Sequence, residues 1–309
     1  GGCVKIKTPK QYAQWLYDKD EFYHDSWKFY HDSYDGWYQL MYQDKGIYIL
    51  RITYEGVTYV FDSARGASNA WPKPLVEEVI GFKRIDVNHA QGTILLYDPT
   101  GVVLLTTVVV DIYTPLTAEE YYAVTFKVTA EAELDDLAFY VAYNIDVYNP
   151  YPNWAYYENS LDLVYQYYGP NSYGNDIPER HKGYAGFASV TPASAYHDAV
   201  VHYHYVQYVA NYLHDYDLNY RNRDIAYGDS SGDCGVGLQW TMGRISMGET
   251  ATIPVVFAAS GKTLDAFKAS VMKAKMFAYE SLSQHPAITL DMNEGPGSSV
   301  VSSSGEGFM

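Results

Sequence analysis

Five aspartates gather in one short stretch: Asp215, Asp217 and Asp224, then Asp229 and Asp233 on either side of Ser230-Ser231-Gly232. Carboxylates separated by Gly and Ser in tight loops suit a hard cation, and Ca²⁺ takes about six to eight oxygen ligands. These five are the expected metal ligands, with calcium as the ion. The spacing is not that of the helix–loop–helix calcium loop, because no Glu stands at its twelfth position. The same residues are also ordinary turn formers.

Other groupings carry less. His202 and His204 fall on one face of a strand, with His197 and His214 nearby in sequence. Zinc would use three of them, but no His-Glu-x-x-His supports it, and strand histidines beside Tyr203, Tyr205 and Tyr208 are the commoner arrangement. Gly261-Lys262-Thr263 follows a strand and opens a helix as a phosphate loop does, yet Val256 stands where that loop needs its first glycine. Thr263 therefore reads as a helix cap. Cys3 and Cys234 match no metal or redox spacing, and a disulfide within or between chains is the expectation for an exported protein. No catalytic constellation emerges, and the chain is expected not to be an enzyme.

The aromatic residues are the unusual feature, with 34 tyrosines among 309 residues. Tyr148, Tyr151, Trp154, Tyr156 and Tyr157 form a dense cluster of the kind on which sugar rings stack. Protein interfaces use the same residues, since Tyr provides large contact area at low entropic cost. A second set is periodic. Trp15, Phe22 and Phe29 are seven apart, as are Tyr23, Tyr30 and Trp37. This spacing predicts an aromatic stripe on a helix from Thr8 to Lys45, capped by Thr8 and Pro9 and stopped at Gly46.

The charge balance narrows the partners. Lys and Arg number 21 against 37 Asp and Glu, a net charge of −16. Such a surface repels phosphate backbones and anionic lipid. No apolar run reaches the ~18 residues of a membrane span. The chain begins Gly1-Gly2-Cys3, read as a mature, exported chain whose signal has been removed. Gly2-Cys3 also resembles a lipoprotein processing site, the sole basis for a solute-binding reading.

From Ile47 the pattern turns to strands. Ile47–Tyr54 and Val57–Phe61 flank Glu55-Gly56 as a hairpin, and Asp98-Pro99-Thr100-Gly101 marks another turn. About a dozen strand-like runs follow one another without intervening long helices. The expected fold is mainly β: a large antiparallel sandwich over 47–259, after an N-terminal helical arm at 1–46. A packing helix spans 260–280, where Leu264, Phe267, Val271 and Ala274 keep helical spacing, and a Gly/Ser-rich tail spans 281–309. Val300 and Val301 in the tail are candidates for strand addition to a neighbour.

Leu238-Gln239-Trp240, Gly243-Arg244-Ile245, Gly248-Glu249-Thr250 and Ile253 to Phe257, with Gly183 to Ala188, resemble the β-supersandwich that precedes the catalytic barrel of glucoamylase-like glycoside hydrolases. Related sandwiches occur in prokaryotic surface proteins. The resemblance spans residues 47–280. It implies a sandwich without its enzyme, because the family's catalytic carboxylates sit in a barrel that follows the sandwich, whereas only a helix and a tail follow Ala258. The leading expectation is thus a secreted subunit that self-assembles into a filament, sheath or surface layer, with Trp15, Phe22, Tyr23, Phe29, Tyr30, Trp37, Val300 and Val301 as its interface. The alternative is an extracellular carbohydrate-binding or carbohydrate-processing module.

Overall fold

The computed structural model describes residues 4–6, 29–33, 36–39, 41–62, 75–117, 119–145, 153–168, 183–193, 195–200, 234–260 and 263–284. Sixteen strands and one long helix lie within them. The strands are β1 (Val4–Ile6), β2 (Phe29–Ser33), β3 (Gly36–Gln39), β4 (Met41–Tyr54), β5 (Val57–Asp62), β6 (Val76–Arg84), β7 (His89–Tyr97), β8 (Leu104–Tyr113), β9 (Tyr121–Ala130) and β10 (Leu134–Ile145). They continue with β11 (Asn153–Glu158), β12 (Leu163–Tyr168), β13 (Tyr184–Ser189), β14 (Ala195–Val200), β15 (Cys234–Ile245) and β16 (Thr250–Ser260), and the helix α1 is Leu264–Gln284. Every pairing is antiparallel, in a sheet of order β1-β2-β3, a second of order β14-β15-β10-β4-β5 and a third of order β11-β12-β13-β16-β9-β8-β7-β6.

The second and third sheets face each other as a sandwich, as the strand pattern predicts. Alternation places Tyr48, Leu50 and Ile52 of β4, Phe139 and Val141 of β10, and Leu238 and Trp240 of β15 on one inner face. Val108 and Val110 of β8, Val124, Phe126 and Val128 of β9, and Val255 and Phe257 of β16 line the other. The Trp240 indole N–H donates to Ser189 Oγ at 3.1 Å, so the largest core side chain leaves no polar atom unsatisfied.

Local chemistry accounts for the turns. Glu55 and Gly56 both take positive φ, 50° and 70°, as a two-residue hairpin turn of matching twist requires. Asp98 accepts from the N–H groups of Val102 and Val103 at 3.1 and 3.0 Å, closing the turn before β8.

The helix lies on the outer face of the eight-stranded sheet. Phe267, Val271, Ala274 and Ala278 pack on Ala123, Leu163, Tyr165, Ala188, Val256 and Ala258, a floor of mostly small side chains. Thr263 Oγ1 accepts from the Ala266 N–H at 3.2 Å, as its reading as a cap anticipates. Thr263→Ala is expected to cost about 1 kcal/mol, read as a lowered urea midpoint with unchanged slope.

The N-terminal arm departs from expectation. Over residues 29–33, 36–39 and 41–45 the predicted helix is replaced by β2, β3 and the start of β4. The seven-residue columns supply one aromatic per two helical turns. Asp18-Lys19, Asp25-Ser26 and Asp32-Ser33 leave the Trp15, Phe22 and Phe29 column with no apolar residue at i+3 or i+4, and the Tyr23 and Tyr30 column continues only through Trp27 and Tyr34. Aromatic residues are enriched in strands, where they fit a pleated surface. Phe29 and Tyr30 are consecutive in β2, and Trp37 in β3 pairs with Asp32. Gly46 does not end a helix; it sits inside β4 beside a bulge, where the register shifts from Tyr143↔Gly46 to Ile145↔Met41. Trp15, Phe22, Tyr23, Val300 and Val301 lie outside the described residues.

Candidate functional site

A tyrosine ladder runs across the outer face of the eight-stranded sheet beside α1. Tyr156 of β11 stands directly opposite Tyr165 of β12, and Tyr167 of β12 directly opposite Tyr184 of β13. Register therefore places all four on one face, without help from loops. The Tyr156 and Tyr165 rings stack at 5.6 Å and 15°, and Tyr167 and Tyr184 at 5.6 Å and 28°. Tyr156 and Tyr167 bridge the two pairs at 5.6 Å, and Tyr184 stacks on Phe267 of the helix at 5.9 Å and 20°.

Tyr165 is buried under the helix, while Tyr156, Tyr167 and Tyr184 remain partly exposed. Burial, and then the neighbouring Tyr156, pushes the Tyr165 and Tyr167 hydroxyls up. They stay protonated donors at neutral pH. The Glu158–Lys268 ion pair and the Lys275 ammonium on Leu161 O hold the helix beside the ladder. The result is a firm aromatic surface with hydroxyl groups, suited to apolar faces that also carry hydrogen-bonding groups.

A second cluster lies on the same outer face. His89 and Gln91 on β7, Asp111 on β8 and Lys127 on β9 meet there. Asp111 Oδ1 is 2.8 Å from His89 Nε2 and 2.9 Å from Gln91 Nε2, and Asp111 Oδ2 is 2.9 Å from Lys127 Nζ. Asp111 is 1% exposed. Burial pushes its carboxyl up, but hydrogen bonds from Lys127, Gln91 and His89 outweigh that and hold it below the usual carboxylate range. The His89 ring stacks on Tyr113 at 4.3 Å. A carboxylate enclosed this way ties three strands together and offers no open face to a substrate.

Among the residues singled out from the sequence, the structure brings few together. Tyr156 belongs to the ladder. Tyr157 points into the sandwich core at 6% exposure, where its hydroxyl donates to Asp162 Oδ1 at 2.9 Å, so its ring is closed to a ligand. Trp154 lies opposite Tyr167 in register. Tyr148, Tyr151, the calcium candidates Asp215, Asp217, Asp224, Asp229 and Asp233, and Cys3 lie outside the described residues. Cys234 starts β15, paired with Val200. Among the described residues no group of three or more His, Cys, Asp or Glu stands ready for a metal.

Tyr165, Tyr167 and Tyr184 were not singled out as binding residues. The available signal was the Tyr-x-Tyr alternation at 165–167. Against the expectation that the chain carries no catalytic motif, Gly228-Asp229-Ser230-Ser231-Gly232 has the Gly-x-Ser-x-Gly form of a nucleophile elbow. That elbow joins a strand to a helix, whereas the element that follows here is strand β15. Residues 228–232 themselves lie outside those described.

The fold is similar to that of a bacterial glucoamylase solved with acarbose. The TM-score is 0.54 at 11% identity, over 84% of this chain and 32% of that one. The chain thus spans about a third of that protein. A heparan sulfate lyase from Pedobacter heparinus (TM-score 0.32, 8% identity) covers 61% of this chain and 22% of its own. An inverting mannosidase from Bacteroides thetaiotaomicron (TM-score 0.31, 12% identity) covers 69% and 26%. At the level of fold, the glucoamylase likeness agrees with the sandwich resemblance carried by Leu238 to Phe257. No protein-family model and no curated protein matches the chain.

Proposed function

We propose that this chain is an extracellular, non-catalytic β-sandwich module that binds a neutral glycan along the tyrosine ladder. The observation that carries this reading is the row of partly exposed rings at Tyr156, Tyr167 and Tyr184, held in place by sheet register and by α1. The fold likeness to a glucoamylase solved with acarbose supports the same class of ligand. The net charge of −16 disfavours sulfated or other anionic polysaccharides and favours neutral ones. A filament or sheath subunit is less well supported, because one of its motives, a helical aromatic stripe, is met by strands β2, β3 and the start of β4.

Isothermal titration calorimetry against maltoheptaose, cellohexaose and mannohexaose tests the proposal. Saturable binding of at least one is expected. Tyr156→Ala, at the partly exposed end of the ladder, is expected to weaken it about tenfold, or ~1.4 kcal/mol. Absence of binding to all three at millimolar concentration, or binding indifferent to Tyr156→Ala and Tyr167→Ala alike, would overturn it.

A further inference from the structure

We propose that β6 is a self-recognising edge: two copies of this chain pair antiparallel through β6, about a two-fold axis between Ile80 and Gly81. Among the described residues β6 pairs only with β7, and its other side is an edge of the sheet they form. Such edges are templates for strand addition. Four large apolar residues stand exposed on β6 and the turn after it: Val76, Ile80, Ile85 and Val87, at 38%, 58%, 44% and 69%. A margin this apolar is a candidate interface.

The partner is identified by charge. The strand reads Val76-Glu77-Glu78-Val79-Ile80-Gly81-Phe82-Lys83-Arg84, acidic in its first half, apolar in the middle and basic at its end. An antiparallel copy sets Glu78 against Lys83 and Glu77 against Arg84, twice each across the axis. Opposite charges on directly facing residues stabilise a strand pair, and like charges oppose it.

The faces agree only because of a bulge. Residues that face each other across two strands must share a face, and in a regular strand Glu78 and Lys83, five apart, would not. The register of β6 on β7 shifts between Val79↔Ile94 and Gly81↔Thr93, which inserts one residue. Glu77 and Arg84 consequently lie opposite Leu96 and Ala90 on the core side, and Glu78 and Lys83 opposite Leu95 and Gln91 on the outer side. Bulges and basic residues on an edge normally deter pairing. Here the same devices deter foreign strands and admit a copy in one register. The pairing would join two eight-stranded sheets into one continuous sheet and is independent of glycan binding.

Sedimentation equilibrium of single-residue variants at exposed positions tests this. The wild-type chain is expected to dimerise at micromolar concentration. Glu78→Lys sets Lys against Lys twice, Lys83→Glu sets Glu against Glu twice, and each alone is expected to dimerise at least tenfold more weakly. Mixed together they restore both opposite pairs and are expected to form a 1:1 heterodimer of near wild-type affinity. The double variant in one chain is expected to recover the homodimer. A wild-type chain that stays monomeric at 100 µM would overturn the proposal. So would reversals without effect, or a mixture that stays monomeric.

Discussion

Gly186→Ala is expected to be the most damaging small substitution in the sandwich. A Cβ at position 186 would lie 2.3 Å from the Val164 carbonyl oxygen and 2.5 Å from Tyr165 Cβ. The first contact is with backbone, so no rotamer change relieves it. Strands β12 and β13 would have to part where Gly186 pairs with Tyr165. The expected cost is about 3 kcal/mol, a fall in melting temperature on the order of 10 °C for a chain of this size. Gly56→Ala is the useful contrast. Its Cβ would meet nothing within 4 Å, and only its φ of 70° resists the change, at about 1 kcal/mol. Differential scanning calorimetry of the two variants distinguishes crowding from backbone strain. A Gly186→Ala melt within 2 °C of wild type would show that β13 lies farther from β12 than described.

Asp111→Ala is expected to cost about 3–5 kcal/mol, because it strands Lys127 and His89 beside a vacated carboxylate site. Asp111→Asn keeps the shape and loses the charge, at about 1–3 kcal/mol. The pH dependence separates charge from shape. The folded carboxyl sits below its unfolded value of about 3.9. Its stabilisation is therefore complete above roughly pH 5 and disappears as pH falls through the folded value. Urea unfolding at pH 6 and at pH 2.5 should show a wider gap between wild type and Asp111→Asn at the first than at the second. A gap equally wide at both would assign the loss to packing.

Much of the sandwich was legible because its strands obey simple alternation. The hairpin read at Ile47–Tyr54 and Val57–Phe61 is β4 and β5, whose turn-side ends fall at Tyr54 and Val57 as expected. The Glu55-Gly56 and Asp98 to Gly101 turns were equally direct, since each needs residues of particular backbone freedom or side-chain reach. The helix at Leu264–Gln284 was visible in its period. What could not be read is what the pairing order alone decides. Tyr156 and Tyr184 are 28 positions apart in sequence, and only the order β11-β12-β13 sets them in one ladder. Asp111 follows Val108-Val109-Val110 as a lone charge, and nothing in the sequence marks its partners, which come from strands on either side. The arm failed for another reason. Its seven-residue repeat spaces aromatic residues as a helix does, yet polar pairs such as Asp25-Ser26 and Asp32-Ser33 interrupt the stripe.

The position of β16 also bears on how the chain must be made. It is the last strand among the described residues, yet it lies between β13 and β9 in the middle of the largest sheet. Before Thr250–Ser260 leaves the ribosome, β6 to β9 and β11 to β13 can form only as two separate meanders, together offering four raw edges instead of two. Closure waits on pairings distant in sequence, such as Thr250 with Thr129 and Ala258 with Tyr121, and contacts of that range form slowly. A nascent chain stalled short of residue 250 is therefore the form most exposed to aggregation. Assisted folding, or export ahead of folding, would protect this chain during the interval in which its central strand has yet to be synthesised.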